Sequence, residues 1–260
     1  MPIHFSAKEW VVNFGEIFLW ELMGTAALTL LGCGVVANVV LKKTLGSGGG
    51  WLLINIGWGF AVFVGASIAN PTGAHLNPAV TFGLLAADKL AWGDVPAYLC
   101  GEMAGAFLGA VLCWAAYKLQ FDTHDEPANT RGIFSTGPTV PNYAWNLVTE
   151  IIGTFVLVFW ILLSPGASIG AQGEPPGFGN AALGYAAVAF VVIVIGNSLG
   201  GPTGYAINPA RDLGPRIAYA ILPIKGKGSA DWNYSWVPVV GPLVGGILAG
   251  LISQILPATS

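Results

Sequence analysis

The chain has 260 residues, of which 54% are hydrophobic and only 9% are charged, and its mean hydropathy is +0.68. A soluble globular domain carries about 25% charged residues, so this composition excludes an ordinary water-soluble domain and indicates a chain embedded in a bilayer. The formal net charge of -3 is too small to indicate a nucleic-acid partner.

Six apolar runs reach, or nearly reach, the roughly 20 residues that a helix needs to cross a hydrocarbon core about 30 Å thick. Two shorter apolar segments each follow Asn-Pro-Ala, and about ten helical residues rise about 15 Å, half of that thickness. The sequence therefore predicts an all-α membrane protein with six transmembrane helices and two re-entrant half-helices. The spans are Ile17–Leu41, Trp51–Ala69, Val95–Tyr117, Ala144–Leu163, Ala181–Leu199 and Trp236–Leu256, and the half-helices are Pro78–Ala87 and Pro209–Ile221.

Three cysteines, Cys33, Cys100 and Cys113, lie in these spans. Their apolar surroundings predict buried thiols, and their spacing indicates neither a disulfide nor a metal site. We expect no metal and no cofactor.

The two halves of the chain resemble each other. The pattern Glu-x-x-Gly-Thr occurs at Glu21 and again at Glu150, and a Pro-Thr-Gly turn followed by Asn-Pro-Ala begins at Pro71 and again at Pro202. Chance similarity between apolar helices is the alternative, but two polar blocks in the same order disfavour it. Because each half holds three spans, the second enters the membrane from the opposite side, as in an inverted repeat. We predict one transmembrane channel domain over residues 1–260, with repeat 1 at about 10–120, a loop at about 121–142 and repeat 2 at about 143–257.

An Asn stands directly before Pro in both motifs, where it can cap a helix whose first residue is that Pro. If the half-helices meet end to end, two positive helix ends and two side-chain amides face each other at mid-membrane. A water molecule that accepts from both amides points its own hydrogens away, which interrupts proton conduction and disfavours cations. Two ordinary helix caps are the alternative, but capping alone does not explain an inverted pair at this depth. The motifs comprise Asn77, Pro78 and Ala79 in the first half and Asn208, Pro209 and Ala210 in the second.

Charged side chains at membrane depth are costly and need an explanation. Arg211 follows the second motif directly, and its donors can hold a hydroxyl or a carbonyl oxygen, an ion pair with the adjacent Asp212 being the alternative. We expect Glu21 and Glu150 to accept hydrogen bonds from backbone N–H groups of their half-helix loops, a structural role that Asp212 shares. A catalytic carboxylate pair is disfavoured because neither a nucleophile nor a metal ligand accompanies them.

The backbone between each turn and its Asn is non-helical at membrane depth, which is tolerated only where it faces protein or a wet cavity. We therefore predict a row of carbonyl acceptors along one side of a pore, with His75 bracing its loop rather than relaying protons. The carbonyls belong to Gly73, Ala74, His75 and Leu76 in the first loop and to Gly204, Tyr205 and Ala206 in the second.

At these residues the chain resembles the aquaporin superfamily of major intrinsic proteins, over nearly its whole length. Within that superfamily it is similar to the glycerol facilitators, or aquaglyceroporins, because an Asp follows Arg211 and Pro238-Val239 opens the sixth span, where water-selective members usually carry two aromatic residues. The resemblance implies a selectivity filter formed by Trp58, Gly196, Tyr205 and Arg211.

In the implied filter, Gly196 occupies the place of a His in water-specific channels, and its missing side chain leaves room for a carbon backbone. Trp58 and Tyr205 form an apolar wall for CH groups, while Arg211 and the carbonyls take the hydroxyls. The bacterial glycerol filter has Phe where this chain has Tyr205, and a hydroxyl there could narrow the opening or add a polar contact. We therefore expect Tyr205→Phe to change the ratio of glycerol flux to water flux.

The resemblance implies a passive channel for small uncharged solutes, with glycerol first and water, dihydroxyacetone, urea, hydrogen peroxide and undissociated lactic acid as further candidates. Protons and ions are excluded, and the channel is a homotetramer in the lipid of the cell membrane with cytoplasmic termini. The loop charges favour the opposite orientation, because cytoplasmic termini place only Lys8 and Lys89 inside and the other loop Lys and Arg residues outside.

Two other classes of protein compete with a channel. A secondary transporter also has inverted repeats and broken helices, but no second intramembrane carboxylate or hydroxyl cluster indicates a site for a coupling ion. A membrane-embedded enzyme is disfavoured because no nucleophile, base or metal constellation is visible.

Overall fold

The computed structural model describes residues 13–164 and 178–256, and within these residues every regular element is helical. The N-terminal residues around Lys8 and most of the Gly- and Pro-rich connection Ser164–Gly179 lie outside the described residues. The helices are α1 (Phe14–Val40), α2 (Gly50–Ile68), α3 (Pro78–Ala86), α4 (Val95–Ala116), α5 (Lys118–Thr123), α6 (Tyr143–Leu163), α7 (Phe178–Leu199), α8 (Pro209–Ile221) and α9 (Val237–Ile255), with 3-10 turns at Asn70–Thr72 and Pro127–Ile133.

The six predicted spans and both half-helices are present, and their ends lie within three residues of the predicted ones. Five spans, α1, α2, α4, α6 and α9, are long and apolar enough to cross a membrane. In α7, the described side chains run from Gly184 to Leu199 and are also apolar. The short helix α5 and the 3-10 turn Pro127–Ile133 were not predicted, because they lie in sequence that is polar overall.

Side-chain caps fix where α1 and the two half-helices begin. Asn13 and Glu16 form a reciprocal capping box at the start of α1, with both hydrogen bonds at 3.1 Å. At α3 and α8, an Asn in extended conformation caps the helix and Pro is the first helical residue, as the sequence predicts. The two half-helices therefore begin at the Asn-Pro-Ala motifs.

Glycines at four-residue spacing let the helices cross closely. A Cβ atom on Gly101 of α4 would lie 2.6 Å from the carbonyl oxygen of Phe18 in α1, and one on Gly241 of α9 would lie 2.6 Å from the Cβ atom of Glu150 in α6. These contacts make α1–α4 and α6–α9 the equivalent helix pairs of the two halves.

Each half-helix also packs on a helix of the other half. Helix α3 lies against α9, and α8 lies against α4, where a Cβ atom on Gly214 would be 2.6 Å from that of Ala106. The inverted halves are thereby interlocked, and the starts of α3 and α8 are held near the middle of the molecule.

The outward faces of the spans carry large apolar side chains, among them Leu19, Phe60 and Val194, which are more than a third exposed. This exposure is expected of surfaces that face lipid. The prediction that all three cysteines are buried is wrong for one of them: Cys33 and Cys113 are buried, whereas Cys100 is exposed on α4. An apolar stretch places a residue in a span but does not say whether it faces protein or lipid.

Candidate functional site

The two re-entrant loops follow the same backbone path. At equivalent positions, non-glycine residues adopt positive φ angles, which cost about 1–2 kcal/mol each for an L-residue. Such backbone persists only where the surrounding structure fixes it. The positive angles are 83°, 55° and 55° at Gly73, Ala74 and Leu76, and 83°, 38° and 43° at Gly204, Tyr205 and Ile207.

Two buried carboxylates fix these loops. Glu21 accepts hydrogen bonds from the backbone N–H groups of His75 (3.1 Å) and Leu76 (2.7 Å), and the Thr72 hydroxyl donates to it at 2.7 Å. Each carboxylate thus accepts hydrogen bonds from backbone N–H groups that have no acceptor within their own loop, which is the arrangement expected from the sequence. In the second half, Glu150 accepts from Thr203 Oγ1, Ala206 N and Ile207 N at 2.7, 3.0 and 2.9 Å.

The two capping Asn side chains reach across to the opposite loop. Each Oδ1 atom accepts from its own helix, from Ala79 N at 2.9 Å for Asn77 and from Ala210 N at 3.0 Å for Asn208. Asn77 Nδ2 donates to the carbonyl of Ile207 and Asn208 Nδ2 donates to that of Leu76, both at 2.8 Å. An amide NH2 has two hydrogens, so each Asn keeps one for the cavity that both residues line.

Two cavities extend from the centre of the molecule. The first, called here the motif cavity, has a volume of about 170 Å³ and is lined by both motif Asn residues, by the loop backbones and by apolar side chains such as Leu28 and Val192. The second, the loop cavity, has a volume of about 410 Å³ and is lined by Thr136 and its neighbours in the long connection between α5 and α6. The motif cavity is therefore lined by polar loop backbone together with apolar side chains.

Three of the described residues line both cavities, and these are Trp58, Tyr205 and Arg211. Residues shared by two adjoining cavities stand at the boundary between them. This boundary, where the three side chains lie, is called here the constriction.

Arg211 is stacked on Trp58, with its guanidinium carbon 3.7 Å from the centroid of the ring. A planar guanidinium over an indole face is a favourable cation–π pair and leaves the N–H groups at its edge free to bond. In the described part of the chain, no acceptor binds these N–H groups, so the expected alternative of an ion pair with Asp212 is absent. They remain available to an oxygen atom at the constriction.

The space above Gly196 is filled by Tyr205. A Cβ atom on Gly196 would lie 2.7 Å from Tyr205 Cζ, and Gly196 is not among the residues that line either cavity. The glycine therefore makes room for the Tyr205 ring, whereas the sequence predicted room for the solute. The hydroxyl oxygen of Tyr205 is buried, which places it in the protein wall and removes the reason to expect a direct contact between this hydroxyl and the solute.

The partner of Asp212 is Arg216, which the sequence analysis did not identify. Arg216 Nε donates to Asp212 at 2.8 Å, and its Nη2 donates to the carbonyl of Thr136 at 2.9 Å. Asp212 also accepts from the backbone and the hydroxyl of Thr136, both at 2.7 Å. This network fixes the loop-cavity wall to α8, and only the i, i+4 spacing of Asp212 and Arg216 could have indicated it.

A fourth buried carboxylate was also missed. Glu102 of α4 is fully buried and accepts from the Thr81 hydroxyl at 2.8 Å, and the same hydroxyl lies 2.9 Å from His75 Nδ1. The His75 ring stacks on Tyr98 at 3.8 Å, so it braces its loop. Glu102 lines neither cavity, so it does not by itself indicate a site for a coupling ion.

The residues to which the predicted carbonyl row belongs line both cavities. Gly73, Ala74, His75, Leu76 and Ala206 line the motif cavity, whereas Gly204 lines the loop cavity. The Leu76 carbonyl already accepts from Asn208 and has one lone pair left.

Comparison with known proteins agrees with this architecture. The profile of the family described as "Major intrinsic protein" matches residues 10–253. A protein of Thermotoga maritima named "Probable glycerol uptake facilitator protein" is 50% identical over 90% of this chain and 96% of its own length. The "Glycerol uptake facilitator protein" of Bacillus subtilis is 47% identical over 90% of this chain and 82% of its own. The X-ray structure of the aquaglyceroporin from Plasmodium falciparum superposes with a TM-score of 0.78 at 28% identity, covering 94% of this chain and 97% of that one.

Proposed function

Since the chain belongs to the major intrinsic protein family and is an integral membrane protein, we propose that it conducts glycerol passively across the membrane. The observation that carries this proposal is the constriction formed by Trp58, Tyr205 and Arg211, which combines apolar aromatic surface with guanidinium donors that no described residue binds. A polyol has the matching character, because its carbon backbone is apolar on one side and its hydroxyls lie on the other. Relatives named as glycerol uptake facilitators support the same solute.

The selectivity filter consists of Trp58, Gly196, Tyr205 and Arg211. Trp58 and Tyr205 exclude water from the CH groups, and Arg211 binds a hydroxyl that has lost its hydration. Gly196 contributes by admitting the Tyr205 ring. Water and the other small neutral solutes named above pass the same opening, with rates that depend on how many hydroxyl or amide groups meet Arg211.

The Asn pair orients solutes in the motif cavity. Asn77 and Asn208 are each held by one hydrogen bond to the opposite loop and use the remaining amide hydrogen on the solute. With the two positive helix ends behind them, these donors repel cations and break a chain of hydrogen-bonded water. The carbonyls of the two loops accept from the solute hydroxyls as they pass.

The channel needs no cofactor or energy source and catalyses no reaction. Coupled transport is the competing function, and Glu102 is the carboxylate that would bind a coupling ion. It lines neither cavity and bonds to Thr81, which disfavours that role. Glycerol accumulation in vesicles driven uphill by an imposed proton or sodium gradient would contradict a passive channel.

The assembly in the membrane is a homotetramer with one pore per subunit and cytoplasmic termini, on the strength of the family resemblance. Each subunit is a single domain with repeats at about 10–120 and 143–257. Mass photometry in detergent tests the tetramer. Protease removal of a C-terminal tag tests the orientation, because a tag cleaved from intact cells would place the terminus outside.

Stopped-flow light scattering of proteoliposomes tests the function. We expect glycerol and water gradients to relax faster than in empty liposomes, while a pH-sensitive dye trapped inside reports no faster proton entry. Arg211→Ala is the matched variant, since it removes the donors at the constriction without touching the Asn motifs. Glycerol flux equal to that of empty liposomes, with raised water flux, would exclude a glycerol channel.

A further inference from the structure

Two buried polar atoms beside the filter have no hydrogen-bond partner among the residues that the structure describes. They are the phenol oxygen of Tyr205 and the Oδ1 atom of Asn55. Asn55 is fully buried in α2, and Tyr205 is 4% exposed. A buried hydroxyl or amide oxygen without a partner is costly, so the two atoms together need an explanation.

Both atoms lie at the same place in the wall. A Cβ atom on Gly196 would be 2.7 Å from Asn55 Oδ1 and 2.7 Å from Tyr205 Cζ, the carbon that bears the hydroxyl. The donor and the acceptor that lack partners therefore both lie next to Gly196 of α7.

The Tyr205 ring lies in a groove that determines where its hydroxyl points. One turn along α7, a Cβ atom on Gly200 would be 2.5 Å from Tyr205 Cδ1, so the ring runs along the helix from Gly200 to Gly196. Trp51 meets the ring edge-on at 5.8 Å, and its Nε1 atom donates to the Gly196 carbonyl at 3.1 Å. The hydroxyl-bearing end of the ring therefore lies at Gly196, where Asn55 of α2 also approaches.

The hydrogen bonds around Asn55 dictate which of its amide atoms meets this hydroxyl. Asn197 Nδ2 donates to the Ile193 carbonyl at 2.9 Å, and a carbonyl can only accept. Asn197 Oδ1 is thus the acceptor for Asn55 Nδ2, at 3.0 Å. Asn55 must then present Oδ1, an acceptor, to its remaining neighbour, and a phenol is a suitable donor.

We propose that Asn55 is a positioning residue of the filter, which accepts the Tyr205 hydroxyl, directly or through one water molecule, and so keeps the ring in the Gly196–Gly200 groove and out of the solute path. This inference rests on the proposed glycerol channel. Without the acceptor, the Tyr205 hydroxyl is more stable when the ring moves out of the groove and the hydroxyl binds water at the constriction. The displaced ring then narrows the opening, which hinders glycerol more than water.

The test is a double-variant cycle in proteoliposomes, read as the ratio of glycerol to water permeability per mole of reconstituted protein. We expect Asn55→Leu to lower this ratio about tenfold, equivalent to about 1.4 kcal/mol, because the buried hydroxyl loses its acceptor. In the background of Tyr205→Phe, where no hydroxyl needs an acceptor, adding Asn55→Leu should leave the ratio at the value of Tyr205→Phe alone.

Asn197→Leu is the matched control. It removes the same hydrogen bond between α2 and α7 that Asn55→Leu removes, but it keeps the acceptor for Tyr205, so its ratio should match the parent protein. Equal losses in Asn55→Leu with and without Tyr205→Phe, or an equal loss in Asn197→Leu, would overturn the proposal and make Asn55 an ordinary link between helices. A parent protein without glycerol flux would instead contradict the proposed function.

Discussion

Two arginines on α8 differ in what surrounds them. Arg211 stacks on Trp58 and faces both cavities, whereas Arg216 is fully buried and donates to Asp212 and to the carbonyls of Thr136, Ala230 and Asp231. No described residue binds the side-chain donors of the first, whereas the second uses four of its five N–H groups on the protein. Similar residues five positions apart are thus expected to affect transport and stability separately.

We predict opposite outcomes for the two Lys variants. Arg211→Lys removes the planar stack and the fork of donors, so glycerol permeability should fall about tenfold while the Tm in detergent stays near that of the parent. Arg216→Lys should lower the free energy of unfolding by about 3 kcal/mol, because a Lys cannot meet all the acceptors and leaves Asp212 poorly paired. Flux assays and thermal unfolding, measured on both variants, check this. An unstable Arg211→Lys protein would contradict the division of roles.

The re-entrant loops show how a strained element is maintained in a bilayer. Positive φ angles at non-glycine residues recur at equivalent places in both loops, and one carboxylate in each half satisfies the exposed backbone donors. Neither loop could hold this shape alone, since its N–H groups would be unpaired at membrane depth. The shape of the pore backbone therefore depends on α1 and α6.

Glu150→Gln tests this dependence. The amide offers one acceptor oxygen where the carboxylate offers two, so it leaves a backbone N–H group of the loop unpaired and adds an NH2 group facing it. We expect a loss of about 1–3 kcal/mol in the free energy of unfolding, and glycerol flux should fall with it. Glu21→Gln should behave alike because its three hydrogen bonds are equivalent. Glu16→Gln, at an exposed helix cap, is the control and should change neither quantity.

At the scale of the whole molecule, the two halves are held together by close crossings and by exchanged contacts. Helices α3 and α8 each pack on a helix of the other half, and the two Asn side chains bond across to the opposite loop. The constriction combines Trp58 of the first half with Tyr205 and Arg211 of the second. A change in the spacing of the halves must therefore change the distances between these three side chains.

Gly101→Leu should disturb this spacing. Its Cβ atom would meet the Phe18 carbonyl, which forces α1 and α4 apart at a cost of about 1–3 kcal/mol. Gly34→Leu is the matched control, since a Cβ atom on Gly34 of α1 would have no atom within 4 Å. Thermal unfolding in detergent and folded yield should fall for the first variant only, and equal losses in both would show that helix crossing is not what limits stability.

The sequence by itself determined the elements of this protein. Apolar length located the six spans, the repeated Asn-Pro-Ala motifs located both half-helices, and the duplicated Glu residues indicated their hydrogen bonds to the loops. These features could be predicted because they depend on local sequence, or because they occur once in each half and the two halves can be compared. Charge at membrane depth likewise identified Arg211 as a candidate site residue.

Tertiary structure alone decided which side chains meet at the constriction and how each is oriented. The sequence contains Gly196, Tyr205, Asn55 and Trp51 but not the fact that a groove on α7 takes the Tyr205 ring and hides its hydroxyl. Arg216 and Thr136 were missed for the same reason, since their contacts join segments far apart in the chain. Helix crossings bring such residues together, and no local pattern encodes where a crossing places a particular atom.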